Sequence, residues 1–234
     1  MKKSPKPHAT PLEADLGFAR IDLDRQRRRG LTEVIFGPNK TPAQLAAIMM
    51  RLNEAGQNAF ATRVTAEQAD AVCRAIPDAV YEPVSRTLSR DVVALPRLRG
   101  KVAILCAGTS DIPVAEEAAV TATRMGARVE RIYDVGVAGL HRLLRRVPAL
   151  YDARAVVVVA GMEGALPSVV AGLVAGPVIA VPTSVGYGSA LNGITALHAM
   201  LTSCASGVTV VNIDNGFGAG IAAAIINRQS RVSP

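Results

Sequence analysis

From about residue 100 onward, short unbroken apolar runs alternate with longer segments whose apolar positions recur every three or four residues. Val102–Cys106, Arg128–Tyr133, Ala155–Ala160, Val178–Val181 and Val208–Ile213 read as strands. Helical spacing falls at Val114–Met125, Ala138–Val147, Leu166–Ala175, Leu191–Leu201 and Gly218–Arg228. Strands that are apolar along their whole length need cover on both faces, and parallel sheets obtain it from crossover helices. The predicted fold is therefore α/β, with a flavodoxin-like parallel-sheet core flanked by helices.

The first hundred residues predict a small α/β region of their own. Leu12–Arg28 mixes Leu16, Ala19, Ile21 and Leu23 with charge and reads as a short helix ending in Arg27-Arg28-Arg29-Gly30. Thr32–Phe36 reads as a strand closed by the turn Gly37-Pro38-Asn39-Lys40. Thr41-Pro42 then opens a helix to Ala55, with threonine as N-cap and proline at the first helical position. Phe60–Val64 is a strand, Thr65 caps a helix to Ala75, and Ala79–Tyr81 and Val92–Leu95 are weaker strands. Pro96–Gly100 reads as a linker, giving an N-terminal region over 1–99 and a catalytic domain over 100–234. Residues 1–10, rich in lysine and proline, are expected to be disordered.

The loops after the core strands hold the candidate chemistry, since open α/β sheets bind ligands beyond the carboxyl ends of their strands. After the first comes Gly108-Thr109-Ser110-Asp111, a turn opening a helix with free amides and hydroxyls that suit phosphate. Capping by Ser110 or Asp111 is the plainer role, compatible with binding. After the third comes Gly161-Met162-Glu163-Gly164, where Glu163 is the only acidic residue between Asp152 and Asp214. It suits a helix cap or a general acid/base. Thr183-Ser184 follows the fourth strand and Asp214-Asn215-Gly216 the fifth, to line a pocket or fix a turn. Ser203-Cys204-Ala205-Ser206-Gly207 sets a cysteine among small residues, although a lone cysteine is more often buried and inert.

Composition narrows the classes. A net charge of +7 and a pI near 9.8 admit nucleic acid or an anionic small molecule. With four Phe, four Tyr, no Trp and no stacking pattern, nucleic acid is disfavoured. Three widely spaced cysteines make neither a disulfide framework nor a zinc site, and a reducing cytoplasm is expected. No signal-peptide core follows Met1-Lys2-Lys3, and no charge-free apolar run is long enough to read as a membrane span.

The motifs together resemble the AIR carboxylase (PurE-type) family, and within it LarB, which begins synthesis of the nickel-pincer nucleotide cofactor. The resemblance runs from Leu16 to Arg228. It rests on Asp22-Leu23-Asp24-Arg25-Gln26-Arg27-Arg28-Arg29-Gly30, Ala61-Thr62-Arg63-Val64, Gly108–Asp111, Gly161–Gly164, Ser203–Gly207 and Asn212-Ile213-Asp214-Asn215-Gly216-Phe217-Gly218. PurE-type enzymes carry a histidine in the loop that here reads AGMEGALPS, where Ala165 stands in its place. One departure from the LarB pattern is Gly37-Pro38-Asn39-Lys40, where a Glu-Gly pair is expected before the lysine.

The resemblance implies a PurE-like core and carboxylation of nicotinic acid adenine dinucleotide at ring carbon 5, from CO2 or bicarbonate. Hydrolysis of the phosphoanhydride then gives pyridinium-3,5-biscarboxylic acid mononucleotide and AMP. It implies Cys204 as covalent nucleophile, Glu163 as general base and Asp111 as a third catalytic residue. Gly108, Thr109, Ser110, Gly161, Met162, Ser184, Asp214 and Asn215 would contact the ligand, with His198 a secondary candidate. Lys40 and Arg63 would grip the pyrophosphate or cover the site. No resident metal or cofactor is demanded, although Mg2+ could serve the hydrolysis. A homo-oligomer, an octamer with sites at subunit junctions, is implied. The rivals are a purine-pathway carboxylase or mutase acting on aminoimidazole ribonucleotide, and a non-catalytic nucleotide- or nucleic-acid-binding module.

Overall fold

The computed structural model describes residues 12–229, in two compact units: 12–82 with 87–94, and 83–86 with 95–229. The disorder expected over 1–10 lies outside the described residues.

The first unit begins with an antiparallel hairpin, β1 (Glu13–Asp15) and β2 (Arg20–Asp22), followed by α1 (Arg25–Arg29). This corrects the helix expected over Leu12–Arg28. Ala14 and Ile21 are cross-strand partners and both are buried, so the local period is two rather than 3.6. The reversal is made by Asp15, whose Oδ1 accepts the Gly17 amide at 2.7 Å, with Gly17 at φ 79°.

A four-stranded sheet follows, built from β3 (Val34–Phe36), β4 (Ala59–Thr62), β5 (Val80–Glu82) and β6 (Thr87–Arg90) in the order β3-β4-β6-β5. Only β3 and β4 pair in parallel. Helices α2 (Pro42–Glu54) and α3 (Ala66–Ala75) start at Thr41 and Thr65, each closing a reciprocal capping box with Gln44 or Gln68. The strand expected at Val92–Leu95 is absent. The pairing strand is Thr87–Arg90, drawn in by the fully buried Leu88. The Asn58 side chain instead takes the amides of Val92 and Val93.

In the second unit, β7 (Lys101–Cys106), β8 (Arg128–Ile132), β9 (Ala153–Ala160), β10 (Val178–Pro182) and β11 (Val208–Val210) form one parallel sheet in the order β11-β10-β9-β7-β8. The intervening helices are α4 (Ile112–Arg124), α5 (Leu140–Leu144), α6 (Leu166–Ala171) and α7 (Ile194–Leu201), and α8 (Gly216–Gln229) closes the unit. The α/β expectation with a flavodoxin-like strand order holds, and both faces are covered. Alanines of α4 and α8 pack on Val102, Ile104, Val157, Val159, Ile179 and Val181. On the other face, Leu143, Leu166, Val170, Ala196 and Met200 meet Ala103, Leu105, Val156, Val158 and Ala180.

Several elements are shorter than their patterns predict. Leu191 and Asn192 adopt left-handed backbone, so α7 starts only at Ile194. Beyond Val210 the Asn212 side chain takes the Ile213 amide, and β11 ends. Because β8 lies on one side of β7 and β9 on the other, chain direction around the sheet reverses between β7 and β9. That reversal opens a crevice at their carboxyl ends. Among the described residues, no helix is long and apolar enough to cross a membrane.

Candidate active site

A cavity of about 380 Å³ occupies that crevice, in the volume range of small-ligand sites. Its wall is made by the loops that leave β7, β8 and β9 and by Val185 beyond β10. The β7 loop contributes Gly108, Thr109, Ser110 and Asp111, the last three forming a 3-10 turn that runs into α4. The β9 loop contributes Gly161, Met162, Glu163 and Ala165. The β8 side contributes Asp134 and Arg142.

Asp111 is the best-held of these side chains and is only 3% exposed. Its Oδ1 accepts the Thr183 hydroxyl at 2.7 Å and its Oδ2 the Gly108 amide at 2.9 Å. Thr183 itself is fully buried at the end of β10. Burial pushes the Asp111 carboxyl above the usual carboxylate range, and hydrogen bonds from Thr183 and the backbone of Gly108 and Gly161 pull it back; the negative charge of Asp214 adds to the rise. The close approach that lets β9 and β10 share this carboxylate depends on Gly161. A Cβ there would stand 2.4 Å from the Val185 carbonyl oxygen and 2.6 Å from Thr183 Oγ1. Met162 is bent into a left-handed conformation (φ 53°), with its amide on the Val185 carbonyl at 2.8 Å, and Glu163 follows it, solvent-exposed, in the cavity wall.

The cavity thus unites seven of the residues singled out in the sequence: Gly108, Thr109, Ser110, Asp111, Gly161, Met162 and Glu163. The others lie outside its wall. The Asp214 carboxylate accepts the Ser184 amide at 2.8 Å and so ties two loops together. Asn215 Oδ1 accepts the Gly218 amide at 2.8 Å, capping α8. His198 is exposed on α7. Cys204 is exposed on the connection from α7 into β11. That connection reaches the amino end of the sheet, where the Gly207 carbonyl accepts the amide of Val178, the first residue of β10.

Lys40 and Arg63 belong to the first unit. There the Lys40 ammonium donates to the Phe36 carbonyl at 2.9 Å, and the Arg63 guanidinium lies 5.9 Å from the centroid of the Phe36 ring. Among the described residues, no group of three or more His, Cys, Asp or Glu could hold a metal ion. In the cavity itself, Asp111 and Asp134 are already engaged by Thr183, Gly108 and Arg142.

Sequence reasoning placed Thr183 in a polar loop without its bond to Asp111, which stands 72 residues away in the chain, and missed Asp134 and Arg142. The signal for the other two was the pair of glycines in Gly136-Val137-Ala138-Gly139, whose packing brings the β8 loop against the β7 loop: a Cβ at Gly136 would stand 2.9 Å from the Ala107 carbonyl oxygen.

Residues 101–232 match the AIR carboxylase family, and residues 13–91 match the LarB/PurE-like N-terminal domain. The chain is a LarB-type member of the AIR carboxylase family. An uncharacterized protein of Methanocaldococcus jannaschii is 42% identical over 217 residues, covering 88% of this chain and 83% of that one. A crystal structure of a Treponema denticola PurE2 variant is similar at 25% identity and a TM-score of 0.44, covering 57% of this chain and 83% of that one. For this LarB-type chain a carboxylase-type function follows from the family. The β7–β9 cavity lies within the part of the chain that matches the carboxylase family.

Proposed function

We propose that this LarB-type chain carboxylates the pyridinium ring of nicotinic acid adenine dinucleotide at carbon 5 and hydrolyses its phosphoanhydride. The products are pyridinium-3,5-biscarboxylic acid mononucleotide and AMP, which makes this the first step of nickel-pincer nucleotide synthesis. The observation that carries the choice over a purine-pathway substrate is in the cavity wall. Ala165 lines it where the PurE-type loop has its histidine, and Glu163, two residues earlier, is the ionisable group of that loop.

A pyridinium ring is electron-poor and does not attack CO2. Addition of a thiolate to the ring gives a neutral dihydropyridine whose enamine carbon 5 forms the new carbon–carbon bond. A base then removes the carbon-5 proton, and expulsion of the thiolate restores aromaticity. In this reading Cys204 supplies the thiolate, Glu163 takes the proton, and water cleaves the phosphoanhydride to release AMP. Asp111 and the Thr109 and Ser110 hydroxyls orient the ligand. Since Cys204 is outside the cavity wall of its own chain, the thiolate at each cavity comes from a neighbouring copy in a homo-oligomer.

The test is incubation of the purified protein with nicotinic acid adenine dinucleotide and bicarbonate, read by mass spectrometry. AMP and a mononucleotide one carboxyl heavier than nicotinic acid mononucleotide are expected. No conversion by folded protein, together with turnover of aminoimidazole ribonucleotide, would replace this reading with the purine-pathway one. Cys204→Ala and Glu163→Gln should each abolish product. Co-assembled at equal amounts they should recover about a quarter of the activity, because random pairing across a repeated interface joins the intact thiol and intact carboxylate in about one site in four. Failure to recover any activity would put both groups on one chain.

A further inference from the structure

We propose that Ser168 holds the Cys204 thiol in place by pinning the turn around it to α6. That turn belongs to neither a helix nor a strand, since α7 ends at Leu201 and β11 starts at Val208. Its two ends are tied. The Thr202 hydroxyl donates to the His198 carbonyl at 2.7 Å, and the Gly207 carbonyl accepts the Val178 amide at 3.0 Å. Between those ties the fixed point is the Ser203 hydroxyl. Ser203 Oγ stands 2.7 Å from Ser168 Oγ and accepts the Ala205 amide at 3.3 Å. A serine oxygen that takes the amide two residues on closes a short turn, and Cys204 is the residue inside it.

Burial follows the same pattern. Ser203 and Ala205 are half-buried, while Cys204 between them is exposed. The turn keeps its flanks against the protein and faces its middle residue outward. An exposed side chain has no packing of its own to fix it, so its position is set by the backbone on either side. Here that backbone is held by one hydroxyl. The anchor is itself rigid, because Ser168 sits on α6 between Leu166 and Val170, which are 1% and 0% exposed and lock that helix to the sheet. Serine is a poorer helix former than alanine, and Ser168 is half-buried rather than solvated; the bond to Ser203 accounts for it there.

The consequence for chemistry rests on the function proposed above, in which Cys204 is the nucleophile. A thiolate that attacks a ring in a neighbouring copy's cavity has to leave its own surface at a fixed point. A displacement of about 1 Å costs on the order of 100-fold in rate. Ser168 touches no reacting atom and acts through Ser203. Because α6 follows the Glu163 loop directly, with Leu166 in the cavity wall, an effect through the carboxylate is the competing explanation.

The test is steady-state dinucleotide turnover by the full-length protein. Ser168→Ala should lower kcat by about 10- to 100-fold while KM stays within about twofold, since thiol placement and not ligand binding is lost. Ser168→Thr, which keeps the hydroxyl, should restore most of the rate. Ser203→Ala should lose at least as much as Ser168→Ala, and combining the two should cost nothing further. Co-assembly then separates thiol from carboxylate. Placed on the Glu163→Gln chain, which supplies the thiol, Ser168→Ala should remove the recovered activity; placed on the Cys204→Ala chain, which supplies the carboxylate, it should leave that activity intact. An unchanged kcat, additive losses in the double variant, or a loss only from the Cys204→Ala chain overturns the proposal. A nitroxide on Cys204 in a Cys73→Ser background reads the anchoring without turnover, by electron paramagnetic resonance, and should move more freely once Ser168→Ala is added. Equal mobility overturns the proposal too. Mobility that depends on Ser168, in a protein that converts no dinucleotide, sinks the nicotinate reading alone.

Discussion

Replacing Thr183 by valine isolates one bond at the centre of the site. The substitution keeps the side chain's shape and removes only the hydroxyl that donates to Asp111 Oδ1 at 2.7 Å, between a fully buried residue and one 3% exposed. A hydrogen bond to a charged group contributes about 1.5–3 kcal/mol, and the oxygen left behind cannot turn to water. With a urea slope of about 2 kcal/mol per molar, the unfolding midpoint should fall by roughly 1 M at neutral pH.

The sign of the pH dependence follows from burial. Asp111 has a folded pKa raised above its unfolded value, so its contribution to stability is fully present below the unfolded pKa and is lost as pH rises through the folded one. Thr183 favours the charged form, and its removal raises the folded pKa further. The deficit of Thr183→Val should therefore be full at neutral pH and shrink in acid, where the carboxyl is protonated in both proteins. Urea titrations of both proteins across that range are the assay. A midpoint unchanged at neutral pH, or a deficit equal at every pH, would refute the assignment of this bond to an ionised Asp111.

Two glycines of the site should respond in opposite ways. Gly161→Ala drives a Cβ to within 2.4 Å of a backbone carbonyl and should cost about 1–3 kcal/mol, read as a lowered urea midpoint. Gly108→Ala meets no such obstacle and should leave stability within about 1 kcal/mol of wild type, while calorimetry shows weakened mononucleotide binding. Thiol alkylation followed by peptide mapping should label the exposed Cys204 in folded protein near pH 8 and spare Cys106, whose thiol burial pushes up to about 11. Labelling of Cys106 before unfolding would contradict its burial.

Much of the second unit was legible because its strands are buried on both faces. Val156–Val159 and Val178–Val181 leave no polar alternation to misread, and the helices between them declare a parallel sheet. The first unit was less legible where its elements are three residues long. In the β1–β2 hairpin a single buried pair, Ala14 and Ile21, decides the structure, too few positions to separate a period of two from one of 3.6. Thr87–Arg90 was passed over for the more apolar Val92–Val93, both of which are exposed, because the pull of Leu88 comes from its place between β5 and β4, the latter distant in the chain.

By itself, then, the sequence determined which loops would meet. Once five apolar runs are parallel, every loop after a strand lies along one edge, so Gly108–Asp111 and Gly161–Glu163 had to share a site however the details fell. Tertiary structure alone decided what stands inside it. The strand register sets Thr183 beneath Asp111, 72 residues away, and loop packing at Gly136 and Gly139 swings Arg142 into the wall. Cys204, on a connection that enters its strand from the opposite end, stays outside. The physical reason is that strand direction is a property of chain pattern, whereas distance across an edge is set by register, helix length and the room left by each side chain.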